Sequence, residues 1–93
     1  MTDYTLAFDL VNEQSSHDYE PLWTELKQLG GHRTQYSLWL INVNNTAKET
    51  CDQLRNLLDK GDRVWVLELT ANHYFANATG GTNDWIKNNP PSR

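Results

Sequence analysis

A single carboxylate, Asp9, stands inside an otherwise apolar, strand-like segment that reads TLAFDLVNE at residues 5–13. An unpaired ionised group in a dry interior costs several kcal/mol, so this side chain must reach water, a cation or a hydrogen-bond donor. If it reaches a divalent cation, it can take part in metal chemistry. If it caps backbone N–H groups of the following loop or pairs with an arginine, its role is structural. The sequence leaves both interpretations open.

The other residues that could do chemistry form no recognisable motif. His17, His32 and His73 lack the spacing of metal ligands, and a single cysteine removes the usual zinc templates. Cys51 has no partner for an intramolecular disulfide and falls on an apolar helical stripe, so it is predicted to be a small core residue. Asp9 is therefore the candidate on which the function depends.

Composition restricts the class of protein. The chain has 93 residues, which suits one domain, and 12 acidic against 8 basic residues give a net charge of −4. The basic residues never cluster, and this balance weighs against strong nucleic-acid binding. The segment MTDYTLAFDL lacks the pattern of a signal peptide, and no apolar run is long enough to span a membrane. We expect a cytoplasmic protein with no membrane partner.

Strand and helix patterns alternate along the chain. Residues 4–11 alternate as a strand, and Pro21 suits the first turn of a helix that ends at Gly30-Gly31. Thr46 and Glu49 form a capping box before a second helix. Strand patterns also cover residues 32–43 and 63–69, whereas the tail holds a strand candidate at 73–76 and a short helix near 83–88.

This order predicts an α+β fold, the ferredoxin-like or split βαβ sandwich, with an antiparallel sheet and two helices on one face. Residues 1–70 would form the core and residues 71–93 a C-terminal tail. The fold requires a hairpin within residues 32–45, where no Gly, Pro or Asp marks a turn. Either one strand bends near Ser37, or the hairpin is irregular.

Three segments carry a family resemblance: FDL in the first strand, LGGHR at the end of the first helix, and RTQYSLWL directly after it. Over residues 4–69 the chain resembles the small CRISPR-associated adaptation proteins, the non-integrase partners in spacer acquisition, and the virulence-associated protein D group. The resemblance implies a ferredoxin-like homodimer in which the first-strand aspartate faces a cleft at the two-fold axis. It also implies that the tail strand pairs with the sheet of a partner protomer.

The resemblance gives the candidate site its residues. In members reported as nucleases, the first-strand aspartate is tied to a divalent metal, so Asp9 would be the catalytic metal ligand and Mg²⁺ or Mn²⁺ the cofactor. Gln35 and Ser37 match the polar positions of the second motif, and Glu13 is the nearest following carboxylate. These three residues are the expected supporting groups.

Two functions of different class follow. The first is a metal-dependent nuclease with Asp9 as its metal ligand, or a nucleic-acid-associated protein, in the adaptation-protein and virulence-associated protein D group. The second is a non-catalytic homodimeric scaffold or protein-binding module on the same fold. The Asp9 strand and the R-x-Q-x-S motif favour the first, whereas the acidic charge and the acidic segment SSHDYEP favour the second.

Homodimerisation is expected in either case. One side of the predicted sheet is not covered by the two helices, and it carries apolar area beside polar groups. A large uncovered apolar patch usually binds a partner. The residues predicted on that side are Thr5, Ala7, Asp9, Gln35, Ser37 and Trp39.

Overall fold

A computed structural model describes residues 1–11 and 19–93. Within these residues, seven elements follow one another in the order expected for a split βαβ fold with an added C-terminal helix. They are β1 (Thr2–Asp9), α1 (Glu20–Gln28), β2 (His32–Gln35), β3 (Leu38–Val43), α2 (Ala47–Arg55), β4 (Arg63–Glu68) and α3 (Thr82–Asn88). None of the described helices is long and apolar enough to cross a membrane.

The four strands form one antiparallel sheet in the order β2-β3-β1-β4. This arrangement, with helices α1 and α2 on one side, is consistent with the ferredoxin-like fold and confirms the prediction. β1 is central and pairs with β3 on one side and with β4 on the other. Its terminal residue, Asp9, therefore lies in the middle of one end of the sheet.

The side of the sheet that packs against α1 and α2, the helix face, contains the hydrophobic core. Leu6 of β1 is fully buried with Leu22 and Leu26 of α1, Ile41 of β3 and Leu54 of α2. The capping box predicted at the start of α2 is present, because Thr46 accepts from the Glu49 amide and Glu49 accepts from the Thr46 amide. The opposite side of the sheet is called the tail face below.

Trp39 lies on the helix face, so its predicted position on the uncovered side was wrong. It pairs with Leu6 in the register of β1 and β3, is only 5% exposed, and stacks on Trp23 of α1 at 5.9 Å between ring centroids. Both sides of β3 are apolar, with Leu38 and Leu40 opposite Trp39 and Ile41. Alternation alone therefore could not identify which side meets the helices.

The hairpin between β2 and β3 turns at residues 36–37 and is irregular. Gln35 pairs with Leu38, and the register shifts between Arg33 and Gln35. Of the two alternatives, the irregular hairpin is the one observed. The Arg33 guanidinium lies 4.9 Å from the ring centroids of both Trp23 and Tyr36, and its Nε donates to the Tyr36 carbonyl at 2.8 Å. These contacts replace a conventional glycine turn.

Two glycines end α1 for different reasons. Gly30 has φ +73°, a left-handed conformation that favours glycine after a helix. Gly31 instead allows a close approach, since a Cβ there would lie 2.7 Å from the Leu26 carbonyl oxygen. Together they direct the chain from α1 straight into β2.

The C-terminal tail packs on the tail face of the same chain. Residues 73–76, the strand candidate, lie outside the described sheet. The predicted short helix is present as α3, and Trp85 Nε1 donates to the Gly30 carbonyl at 2.9 Å. Upstream of α3, the Thr79 amide donates to the Thr34 carbonyl at the edge of β2. Pairing of the tail with a partner protomer stays a prediction.

Candidate functional site

The Asp9 carboxylate is paired with an arginine of the neighbouring strand. Asp9 and Arg63 are register partners at the end of β1 and β4, and Arg63 Nη1 donates to Asp9 Oδ2 at 2.9 Å. Both side chains reach solvent, with 62% of the aspartate and 80% of the arginine exposed. The apolar strand thus ends where the Asp9 carboxylate contacts the Arg63 guanidinium and reaches solvent. Of the roles considered for Asp9, the structure shows pairing with an arginine.

The hairpin brings Ser37 to the same end of the sheet. The Phe8 amide, one residue before Asp9, donates to the Ser37 carbonyl at 2.9 Å. Gln35 is exposed and pairs with Leu38, and it lines a cavity on the tail face. Glu13 falls in residues 12–18, outside the described part of the chain. Of the two supporting residues in the described part of the chain, Ser37 is the one joined by a hydrogen bond to the strand end of Asp9.

Asp62 was not predicted as a site residue, although it positions the chain after the Asp9 strand. Its Oδ1 accepts from the Val11 amide at 2.9 Å and from the Tyr19 hydroxyl at 2.8 Å, and its Oδ2 accepts from the Asp59 amide. This carboxylate therefore holds both ends of the segment that contains Glu13. An aspartate directly after the turn Lys60-Gly61 was the available signal, because aspartate often caps such turns.

One copy of the chain does not provide a fitting set of metal ligands within residues 1–11 and 19–93. No group of three or more His, Cys, Asp or Glu side chains comes together there. The Asp9 carboxylate is in contact with the Arg63 guanidinium, which would compete with a cation for the same oxygen. A hard cation such as Mg²⁺ requires further oxygen ligands.

The tail face divides into two halves. The covered half belongs to β2 and β3 and includes Thr34 and Leu40, which are 5% and 4% exposed. The open half belongs to β4 and to the Asp9 end of β1, and it includes Trp65 and Leu67, which are 68% and 42% exposed. Part of the uncovered side is thus an apolar surface, as predicted, although β4 contributes more of it than expected.

Thr82, the first residue of α3, attaches this helix to the covered half through hydrogen bonds. Thr82 is 3% exposed, and its hydroxyl donates to the Thr79 carbonyl at 2.7 Å. The same oxygen lies 2.8 Å from His32 Nε2 and 2.9 Å from Thr34 Oγ1. Since the hydroxyl proton is used by Thr79, His32 and Thr34 must both donate to it. Next to this network is a half-open cavity of about 160 Å³.

Asp3 is a second carboxylate on the tail face, and it is buried. It is 1% exposed, Asn42 Nδ2 donates to its Oδ1 at 2.6 Å, and its Oδ2 has no hydrogen-bond partner among the described residues. Burial raises the pKa of this carboxyl, while the Asn42 hydrogen bond and the N-terminal charge oppose the rise. Asp3 therefore carries an electrostatic cost that Asp9, at the solvated end of the same strand, avoids.

Comparison with known proteins identifies the family. The family model described as CRISPR associated protein Cas2 matches residues 2–76. The match includes β1 to β4 and the first residues of the tail, and it ends before α3. A search of solved structures found no match. The chain therefore belongs to the CRISPR-associated Cas2 family and is a CRISPR adaptation-related protein.

Proposed function

We propose that this chain acts in CRISPR adaptation as a non-catalytic, homodimeric scaffold. The observation that carries the proposal is the open half of the tail face, where Trp65 and Leu67 are exposed side by side on an edge strand. Exposed apolar patches of this kind mark interaction sites in soluble proteins. A 93-residue domain also buries a modest fraction of its surface, so a shared interface adds stability that it needs.

The chemistry of the Asp9 end supports a structural role. An aspartate that already has a guanidinium partner needs no metal to balance its charge. The acidic net charge of −4 gives no general attraction for a phosphate backbone. Specific recognition of nucleic acid would then depend on local groups of this chain or on a partner protein.

Sedimentation of the full chain tests the dimer. We expect a dimer at micromolar concentration, and Leu67→Lys should shift it to monomer because it places a charge in the interface. Val11→Lys is the matched control, since Val11 is also exposed, at 55%, but lies beyond the end of β1. A monomeric wild-type chain would contradict the proposal.

A metal-dependent endonuclease is the second candidate, and the exposed Asp9 carboxylate favours it. A second copy could contribute its own Asp9 to a shared site, and paired carboxylates can hold Mg²⁺ or Mn²⁺. Glu13, Gln35 and Ser37 remain the supporting residues under this candidate. When bound, the ion would activate a water and stabilise the charge developing on a phosphodiester.

A cleavage assay separates the two candidates. Labelled single-stranded RNA, single-stranded DNA and duplex DNA are incubated with Mg²⁺ or Mn²⁺ and with EDTA. Wild type is compared with Asp9→Asn and with Asp84→Asn, which removes an exposed carboxylate from α3. The scaffold predicts no cleavage that depends on Asp9. Metal-dependent cleavage lost only in Asp9→Asn would instead establish the nuclease and Asp9 as its ligand. Under both candidates, nucleic-acid association and a cytoplasmic location remain predictions.

A further inference from the structure

We propose that the Trp65 side chain of each copy inserts into the tail-face cavity of the other copy. This inference rests on the proposed homodimer and identifies the residues that would make its interface specific. The tail face carries both a projecting aromatic side chain and a cavity. A two-fold axis requires such a self-complementary surface, in which each copy offers the same two features to the other.

The cavity suits an aromatic ring. Its volume is about 160 Å³, close to that of an engineered apolar cavity of about 150 Å³ that binds benzene. Its apolar lining comes from Leu38 and Leu40 of β3, Leu69 after β4, and Phe75 of the tail. Polar groups also line it, including Gln35, His73 and Thr82. Ile86 of α3 completes one wall and lies beyond residue 76, where the family match ends. The cavity therefore depends on a segment outside the matched region.

Trp65 is the aromatic residue best placed to fill it. It is 68% exposed although it lies in a regular strand, and its register partner Ala7 is too small to cover it. Tryptophan is enriched among the residues that dominate binding energy at protein interfaces, where it enters desolvated pockets. An exposed indole on an open sheet face is thus a natural anchor.

The register of the sheet aligns the two features. Ala7 pairs with Leu38 on one side and with Trp65 on the other, so these three residues form one row across β3, β1 and β4. Consider a two-fold axis that runs parallel to the strands, above the tail face and over the line where β3 and β1 meet. A 180° rotation about this axis places β4 of one copy over β2 and β3 of the other. Because the axis is parallel to the strands, each row keeps its position along the strand direction. Trp65 then faces the partner's cavity, which Leu38 lines.

Cross-linking tests this arrangement without removing the tryptophan. The same axis places Arg63 near the partner's hairpin turn at Ser37. Chains carrying Arg63→Cys and Ser37→Cys, each in a Cys51→Ala background and distinguished by mass, are mixed and treated with a short bismaleimide. We expect mixed cross-linked dimers. Their absence, or cross-links that join two Arg63→Cys chains instead, would overturn the proposed axis.

Dimer affinity tests the insertion itself. We expect Trp65→Ala to weaken dimerisation by roughly 30-fold or more, as for a central interface anchor. Ile86→Phe, which fills the cavity from within its own chain, should weaken it similarly while leaving the far-UV spectrum unchanged. Lys48→Ala is the control, because Lys48 is also exposed, at 85%, but lies in α2 on the opposite side of the sheet.

Failure of this inference can be distinguished from failure of the scaffold proposal. If the wild-type chain is a monomer, the proposed dimer is wrong. If it is a dimer whose affinity Trp65→Ala and Ile86→Phe leave unchanged, the dimer stands and the insertion is wrong. Equal weakening by Lys48→Ala would also contradict insertion, because it would show a nonspecific response to the loss of an exposed side chain.

Discussion

Leu40 and Leu67 are the same residue type in the same row of the sheet, and they have opposite environments. Both are register partners of Thr5, one from β3 and one from β4. Leu40 is 4% exposed beneath the tail, whereas Leu67 is 42% exposed on the open half. Leu40 has a strand neighbour on each side, whereas Leu67 lies on the edge strand β4. The tail adds to this difference, because it covers Leu40 and leaves Leu67 open.

The segment above Leu40 continues beyond the family match. Residues 77–93 include Thr79, which bonds the edge of β2, and α3, whose Thr82 and Trp85 are hydrogen-bonded to β2 and to the end of α1. The matched region thus forms the sheet, and the C-terminal segment determines how much of the tail face remains accessible. A short C-terminal segment can in this way change which part of a sheet is accessible to a partner without altering the fold of the sheet.

Alanine at the two leucines tests the comparison most strongly. We expect Leu40→Ala to lower the free energy of unfolding by about 2–4 kcal/mol, because it removes a buried side chain and leaves a cavity. Leu67→Ala should lower it by less than about 1 kcal/mol in the monomer, because much of that side chain is already in water. Urea unfolding at low, equal protein concentration measures both. Equal losses of unfolding free energy would show that the covered and open halves of the tail face do not differ.

Thr82→Val should weaken the attachment of the C-terminal segment to the covered half of the tail face. The valine keeps the shape but leaves the Thr79 carbonyl and the His32 and Thr34 donors without this partner. The expected loss of stability is about 1–3 kcal/mol. Amide exchange in β2 should accelerate, while exchange in β4 stays unchanged. Lys87→Ala, at an exposed position of α3, is the control and should have no effect on either strand.

Asp3→Asn should stabilise the protein at neutral pH. Because burial raises the pKa of Asp3, the folded state holds this proton more tightly than the unfolded chain does. Ionised Asp3 therefore lowers stability above its folded pKa, and the penalty disappears as the pH falls below its unfolded value. We expect a gain in stability at pH 7 that shrinks as the pH falls and vanishes below about pH 4, the ordinary range of an aspartate in an unfolded chain. A pH series of urea midpoints measures it, and a gain independent of pH would contradict this account.

The smallest effect is expected at Asp9. An exposed ion pair contributes little, so Asp9→Asn should change the free energy of unfolding by less than about 1 kcal/mol. The change should shrink further in 1 M salt, where charges are screened over about 3 Å. Thermal unfolding at low and high salt measures it. A large loss would mean that the Asp9–Arg63 pair supports the fold rather than marking an accessible end of the sheet.

Local signals predicted most of the fold. The alternation in β1, the capping box at Thr46 and the glycines after α1 each depend on a few neighbouring residues, and each is present in the structure. The position of Trp39 could not be predicted in the same way. Its strand is apolar on both sides, and the face was decided by the register with Leu6, which a local pattern does not contain.

Local sequence patterns also predicted only part of the candidate site. Asp9 was found because a charge interrupts an apolar run, but its partner Arg63 lies 54 residues away. Antiparallel pairing of β1 with β4 brings them together, and only the complete sheet reveals it. Asp62 was missed for a related reason, since its contacts with Val11 and Tyr19 join segments more than 40 residues apart.

The central position of β1 also affects how the chain folds during synthesis. The first strand made is the last to gain both neighbours, because β4 follows it by 54 residues at the Asp9–Arg63 pair. At synthesis rates of 5–20 residues per second, this separation corresponds to roughly 3–11 s. During that interval one edge of an apolar strand is without its partner. The nascent chain thus has a defined window in which misassociation competes with completion of the sheet.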